Sequence, residues 1–123
     1  MFRLRTPRFF FSLSVSRGPL ITPSELLPHL SSNLKIINSS FLLPPTTGDT
    51  KEVFKKERLP NAQFFGLDDV CDKAKNLPHM LPSLEVFEEA MKKMDVGRKD
   101  VVVVYDDYGI VGACRGWYVF YLN

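Results

Sequence analysis

The residues best suited to chemistry lie between Leu59 and Pro82, in LPNAQFFGLDDVCDKAKNLPHMLP. An apolar pair, Phe64-Phe65, leads into three carboxylates, Asp68, Asp69 and Asp72. The stretch then reaches a histidine between prolines, Pro78-His79-Met80-Leu81-Pro82. A carboxylate and an imidazole on one ordered loop orient each other: the carboxylate fixes the ring tautomer, and the second nitrogen is left to accept a proton. The competing reading is a solvated acidic loop with a surface histidine, and composition alone favours it. Other candidates are sparse. Cys71 and Cys114 are the only cysteines, too few for the framework of a small secreted domain and at no zinc-binding spacing. Reduced thiols in an intracellular compartment are expected, with no metal site and no cofactor. Cys71 lies among carboxylates that would raise its pKa, so it reads as inert. Cys114 precedes Arg115, whose charge favours thiolate, yet the simpler reading is a small buried hydrophobe at the start of a helix. His29 is assigned no role.

The scaffold that must position these residues is small. A chain of 123 residues, 45% of them hydrophobic, allows one domain with a modest core. No apolar stretch is long enough to cross a bilayer. The net charge of +2 is unevenly spread: residues 1–17 hold Arg3, Arg5, Arg8 and Arg17 and no acid, leaving 12 basic against 14 acidic residues in the remainder. No basic stripe is left to follow a phosphate backbone, so nucleic-acid binding is not expected. The arginine- and serine-bearing, acid-free start, MFRLRTPRFFFSLSVSR, has the composition of a mitochondrial transit peptide, disordered and outside the fold. Ser12 and Ser14 interrupt the apolar run that a secretory signal would need. A cytoplasmic location is the alternative. Residues 18–123 form the expected domain.

Along that domain, Thr22-Pro23-Ser24-Glu25 reads as a capped helix start, cut short by Pro28. Leu34 to Ile37 is a short buried strand, followed by a polar turn at Asn38-Ser39-Ser40. Pro44 to Asp49 is a loop, and Thr50 to Arg58 one or two exposed helical turns. A short strand is expected near Ala62–Phe65, then the long loop. Ser83 caps the best helix, Leu84–Met94, whose Leu84, Phe87, Met91 and Met94 share one face and whose end is placed at Gly97. Val101–Tyr105 lacks polar alternation, as a strand covered on both faces of a parallel sheet does. Helix, glycine and buried strand form half of a right-handed α/β unit. Ligands of open α/β sheets gather beyond the carboxyl ends of the strands, which gives Asp68, His79 and Asp106 a common rim.

At these residues the chain resembles a known family. ERLPNAQFFGLD, then PHMLPSLEVFEEAM, then a helix-ending glycine and DVVVVYD is similar to the N-terminal domain of tandem rhodanese-like sulfurtransferases. The mercaptopyruvate branch looks nearest, with thiosulfate sulfurtransferase beside it, and the likeness covers roughly residues 20–120. The resemblance implies an α/β rhodanese-like domain with a mainly parallel central sheet flanked by helices. It also implies a partner, the C-terminal rhodanese domain, whose loop cysteine carries sulfur as a persulfide from a small anionic donor to a thiol or cyanide. Asp68 and His79 match the family's supporting pair, and on this view the chain alone is inactive. A non-catalytic rhodanese-like binding module is the alternative.

Several positions depart from the family pattern. Gly66 stands where a D-x-D pair usually begins, Asn38 where an aspartate is common, and Cys114 in ACRGWYVF where proline is usual. The final helix and strand are expected to be shortened, a C-terminal truncation, with the second domain missing. Cys114 is not expected to be the sulfur carrier, because bulky Trp117 follows too soon for a loop of amides to curl around its sulfur. Phosphatase relatives of the fold require a cysteine and an arginine separated by five residues, which neither cysteine provides. Arg115 is read as structural, pairing with Asp106, with Asp107 or with the surface between domains.

Overall fold

A computed structural model describes residues 19–30 and 34–123. The expected presequence, residues 1–17, lies outside the described residues. The elements in chain order are α1 (Pro23–Leu26), β1 (Leu34–Asn38), α2 (Thr50–Lys56), β2 (Gln63–Phe64), α3 (Leu84–Lys93), β3 (Val101–Tyr105) and α4 (Val111–Leu122).

Local chemistry accounts for the helix ends. At α1 the Thr22 hydroxyl accepts from the Glu25 amide at 3.3 Å while the Glu25 carboxylate accepts from the Thr22 amide at 2.8 Å, a reciprocal capping box. Pro28 then confines the chain to a single 3-10 turn, Leu27–His29. Asp49 caps α2 by accepting from the amides of Lys51 at 2.9 Å and Glu52 at 3.2 Å. Ser83 caps α3.

The end of α3 differs from expectation. Asp95, with φ +49°, takes the left-handed position expected near Gly97. The Asp95 amide donates to Lys92 O at 3.2 Å and the Val96 amide to Met91 O at 2.9 Å, which closes the helix two residues early. The hydrophobic contact of this motif explains the choice, since Met91 and Val96 both join the core. Gly97 instead opens the next turn, its amide donating to Asp100 Oδ2 at 2.7 Å.

The three strands are parallel in the order β2-β1-β3, with Ile37 opposite both Gln63 and Val104 and Ile36 opposite Val103. Parallel neighbours require crossovers, and the intervening helices supply them. Side chains alternate between faces along each strand. Ile37, Val102 and Val104 enter a core with Phe65, Leu67, Phe87, Met91, Val119 and Phe120, so α3 and α4 cover this face. Phe120 binds the layers together, its ring 5.2 Å from that of Phe65 and 5.5 Å from that of Phe87. On the other face, Phe64 of β2 meets Phe54 of α2 at 5.5 Å. The expected α/β architecture is present, with helices on both faces of the sheet. β3 is less covered than its valine run implies: Val103 is buried and its neighbours are half-buried. The reason is its place at the edge of the order, where one flank has no strand among the described residues.

At the end of β1 and just past it the chain buries three polar residues, Asn38, Ser39 and Ser40. Buried polar groups need partners, and each has them. Asn38 Nδ2 donates to Asp107 Oδ2 at 2.7 Å, and Ser40 Oγ donates to the same oxygen at 3.1 Å. The Ser39 hydroxyl donates to the Gly112 carbonyl at 2.9 Å. Gly112 and Gly116 let α4 approach this closely. A Cβ on Gly112 would lie 2.3 Å from the Ser39 carbonyl oxygen, and one on Gly116 2.5 Å from the Ser39 hydroxyl.

Candidate functional site

Asp68 sits in a turn closed by donation from the amides of Asp69 and Val70 to Gly66 O, at 3.0 and 2.9 Å. Leu67, Val70 and Cys71 face inward, and Asp68 and Asp69 are left outside. The buried Cys71 thiol donates to the Asp68 carbonyl at 3.1 Å, fixing the backbone beneath the carboxylate. Asp69 is engaged elsewhere, 3.0 Å from Lys51 Nζ on α2. The loop then turns at Asp72, whose carboxylate accepts from the Ala74 amide at 2.8 Å. It re-enters the domain through half-buried Leu81 and buried Pro82 before Ser83 starts α3.

This path brings His79 onto Asp68. Nδ1 of the ring lies 2.5 Å from Asp68 Oδ1, with side-chain exposures of 39% and 65%. The approach is close but out of line with a ring N–H, so Nδ1 has no hydrogen bond of good geometry. Phe41, just past β1, meets the imidazole edge-on at 4.5 Å. His79 itself has φ +56°, a left-handed conformation that costs a residue with a Cβ free energy. Arg115 of α4 donates from Nη2 to the His79 carbonyl. Three segments therefore converge on the loop that carries His79: the post-β1 loop and the post-β2 turn reach its imidazole, and α4 reaches its carbonyl.

The other singled-out residues are placed differently. Asp106 is tied to backbone, accepting from the Tyr108 amide at 2.8 Å and the Gly112 amide at 2.7 Å, and so caps α4, which begins without a side-chain cap of its own. With Asp107 held by Asn38 and Ser40, neither carboxylate meets Arg115 among the described residues; the anticipated pairing is replaced by the contact to His79 O and by the Tyr118 ring 5.8 Å away. Cys114, expected to be buried, is exposed, because Gly112 and Gly116 rather than Cys114 occupy the packed side of α4. Phe41 escaped sequence reasoning. Its position just beyond the carboxyl end of β1, where such loops converge, was the available signal. Among the described residues no three His, Cys, Asp or Glu side chains are placed to hold a metal ion, and no helix is long and apolar enough to cross a membrane.

The parallel α/β sheet flanked by helices has clear structural counterparts. The chain superposes with TM-score 0.73 and 27% identity on the 3-mercaptopyruvate sulfurtransferase SseA from Escherichia coli, described as having the rhodanese fold, over 79% of this chain and 38% of that one. A yeast mitochondrial complex I sub-stoichiometric sulfur transferase subunit aligns with TM-score 0.76 and 34% identity over 84% of this chain and 35% of that one. In sequence, the mitochondrial thiosulfate/3-mercaptopyruvate sulfurtransferase 1 of Arabidopsis thaliana is 38% identical over 110 residues, 89% of this chain and 29% of that protein. No family model matches the chain. The fold is that of a rhodanese-like domain. The chain is a homologue of the 3-mercaptopyruvate/thiosulfate sulfurtransferases, resembles one rhodanese domain, and spans about a third of the length of the relatives it matches.

Proposed function

We propose that the chain acts as the N-terminal half of a sulfurtransferase, the half without the persulfide-forming cysteine, in an enzyme that moves sulfane sulfur from 3-mercaptopyruvate or thiosulfate to a thiol or cyanide. A second rhodanese domain supplies the persulfide-forming cysteine. Asp68 and His79 form the supporting pair at the cleft between the two, with Asp68 biasing the ring so that Nε2 accepts a proton from a group on the partner's loop. The observation that carries this reading is the 2.5 Å approach of His79 Nδ1 to Asp68 on a half-exposed ring. Neither cysteine is read as the sulfur carrier: Cys71 is buried with its thiol given to Asp68 O, and Cys114 lies within the first turn of α4 rather than on a loop. Residues 1–17 direct the protein to mitochondria, a reading supported by the mitochondrial relatives.

The test is sulfur transfer to cyanide. The chain alone gives none, and the chain joined to a cysteine-bearing rhodanese domain gives turnover. Transfer by the isolated chain that Cys114→Ser abolishes would sink the assignment.

A further inference from the structure

We propose that Arg115 is the positioning residue of the site, setting the orientation of His79 by holding its backbone rather than its ring. This rests on the reading of Asp68 and His79 as a proton-handling pair. Residues with a Cβ do not stay at φ +56° unless the surroundings impose it. Leu81 anchors the chain after His79 by packing against the core, and Asp68 and Phe41 contact the ring, but the atom whose direction a left-handed residue sets is its carbonyl. That carbonyl receives Arg115 Nη2.

Arg115 is free to do this because Asp106 and Asp107, its nearest carboxylates in sequence, are committed to amides and to Asn38 and Ser40. It is held in place by lying over the Tyr118 ring at 5.8 Å and by the seating of α4 on Ser39 through Gly112 and Gly116. A planar guanidinium that donates in one direction while stacking on a ring suits this task, and an ammonium does not. Among the described residues, the charged side chains that meet His79 are thus Asp68, facing the ring, and Arg115, facing the carbonyl. Removing the guanidinium lets His79 relax to ordinary φ, and Nδ1 leaves Asp68.

The experiment reads the imidazoles of the full 123-residue chain by long-range proton–nitrogen NMR correlation at alkaline pH, with His29 as internal reference. In the parent chain His79 favours the tautomer protonated on Nδ1, and His29 does not. Arg115→Met lowers that tautomer ratio about tenfold, toward that of His29, with the amide spectrum of α3 and β3 unchanged. Should Arg115→Met fail to fold, Arg115→Lys decides on the same readout: a fallen ratio supports the proposal and a parental ratio overturns it. A ratio lost in Asp68→Asn but kept in Arg115→Met overturns the role of Arg115 and leaves the pair standing. A parental His79 ratio already equal to that of His29 removes the pair and this inference with it.

Discussion

At the scale of single residues, the site depends on close approaches that leave no room for added atoms. Gly116 shows this best. An added Cβ would sit 2.5 Å from Ser39 Oγ and 2.8 Å from Ser39 Cβ, with Val104 Cγ1 at 3.0 Å. Ser39 is fully buried and bonded to both Tyr105 O and Gly112 O, so it has no open space to move into. Gly116→Ala is expected to destabilise the chain by roughly 1–3 kcal/mol despite alanine's better helix propensity. Denaturant unfolding checks this, and a variant as stable as the parent would show that α4 is less tightly seated. The same shift would carry Arg115 away from His79, so the imidazole spectrum should change with stability.

At the scale of elements, the helix ends give a pH dependence whose sign is fixed. The carboxyl of Glu89 is held below its ordinary value of 4.5 mainly by the hydrogen bond from Lys93, and that of Glu25 chiefly by the Thr22 amide. Glu85 is lowered likewise by backbone and Ser83 hydrogen bonds at the start of α3. A carboxyl depressed in the folded state contributes stability above its unfolded pKa and loses it as pH falls through the folded one. All three are solvated, so the effect is small. Thermal melts of Glu89→Gln against the parent should differ at about pH 7 and converge by about pH 3. An unchanged gap at the lower pH would contradict the assignment.

The elements also show what the sequence made legible. α3 was readable because a serine cap and an apolar face at helical spacing agree, and in the structure an i,i+4 pair, Lys93–Glu89, adds to them at 2.8 Å. Its end was misplaced because glycine is the usual left-handed residue, whereas here the Met91–Val96 contact selects Asp95. The exposure of Cys114 was hidden for a related reason: glycines mark the packed side of α4, and hydropathy assigns glycine no side. The partners of Asp106 and Arg115 were illegible because charge suggests that they pair, but the amides at the start of α4 and the His79 carbonyl are contacts only the fold reveals. The proximity of Asp68 and His79 was readable as two chemistries on one loop, and Phe41 was not, since its contact crosses from the loop after β1.

At the scale of the molecule, the sheet order leaves β3, with its run of four valines, paired on one side only among the described residues. Such an edge templates further strand pairing. The isolated chain is expected to self-associate, with light scattering rising steeply with concentration. Joining it to a second rhodanese domain should lower this association if that domain orders the neighbouring surface; scattering flat with concentration in the isolated chain would show that the edge is already protected.

The central claim, that Asp68 and His79 serve sulfur transfer across a domain cleft, is tested most directly by one comparison. Turnover is measured for the chain joined to a cysteine-bearing rhodanese domain, with and without His79→Ala, on 3-mercaptopyruvate and on thiosulfate. Loss of a positioned proton acceptor should cost about 10²–10⁴-fold with 3-mercaptopyruvate and much less with thiosulfate. Equal turnover by parent and variant on both donors would remove His79 from the mechanism.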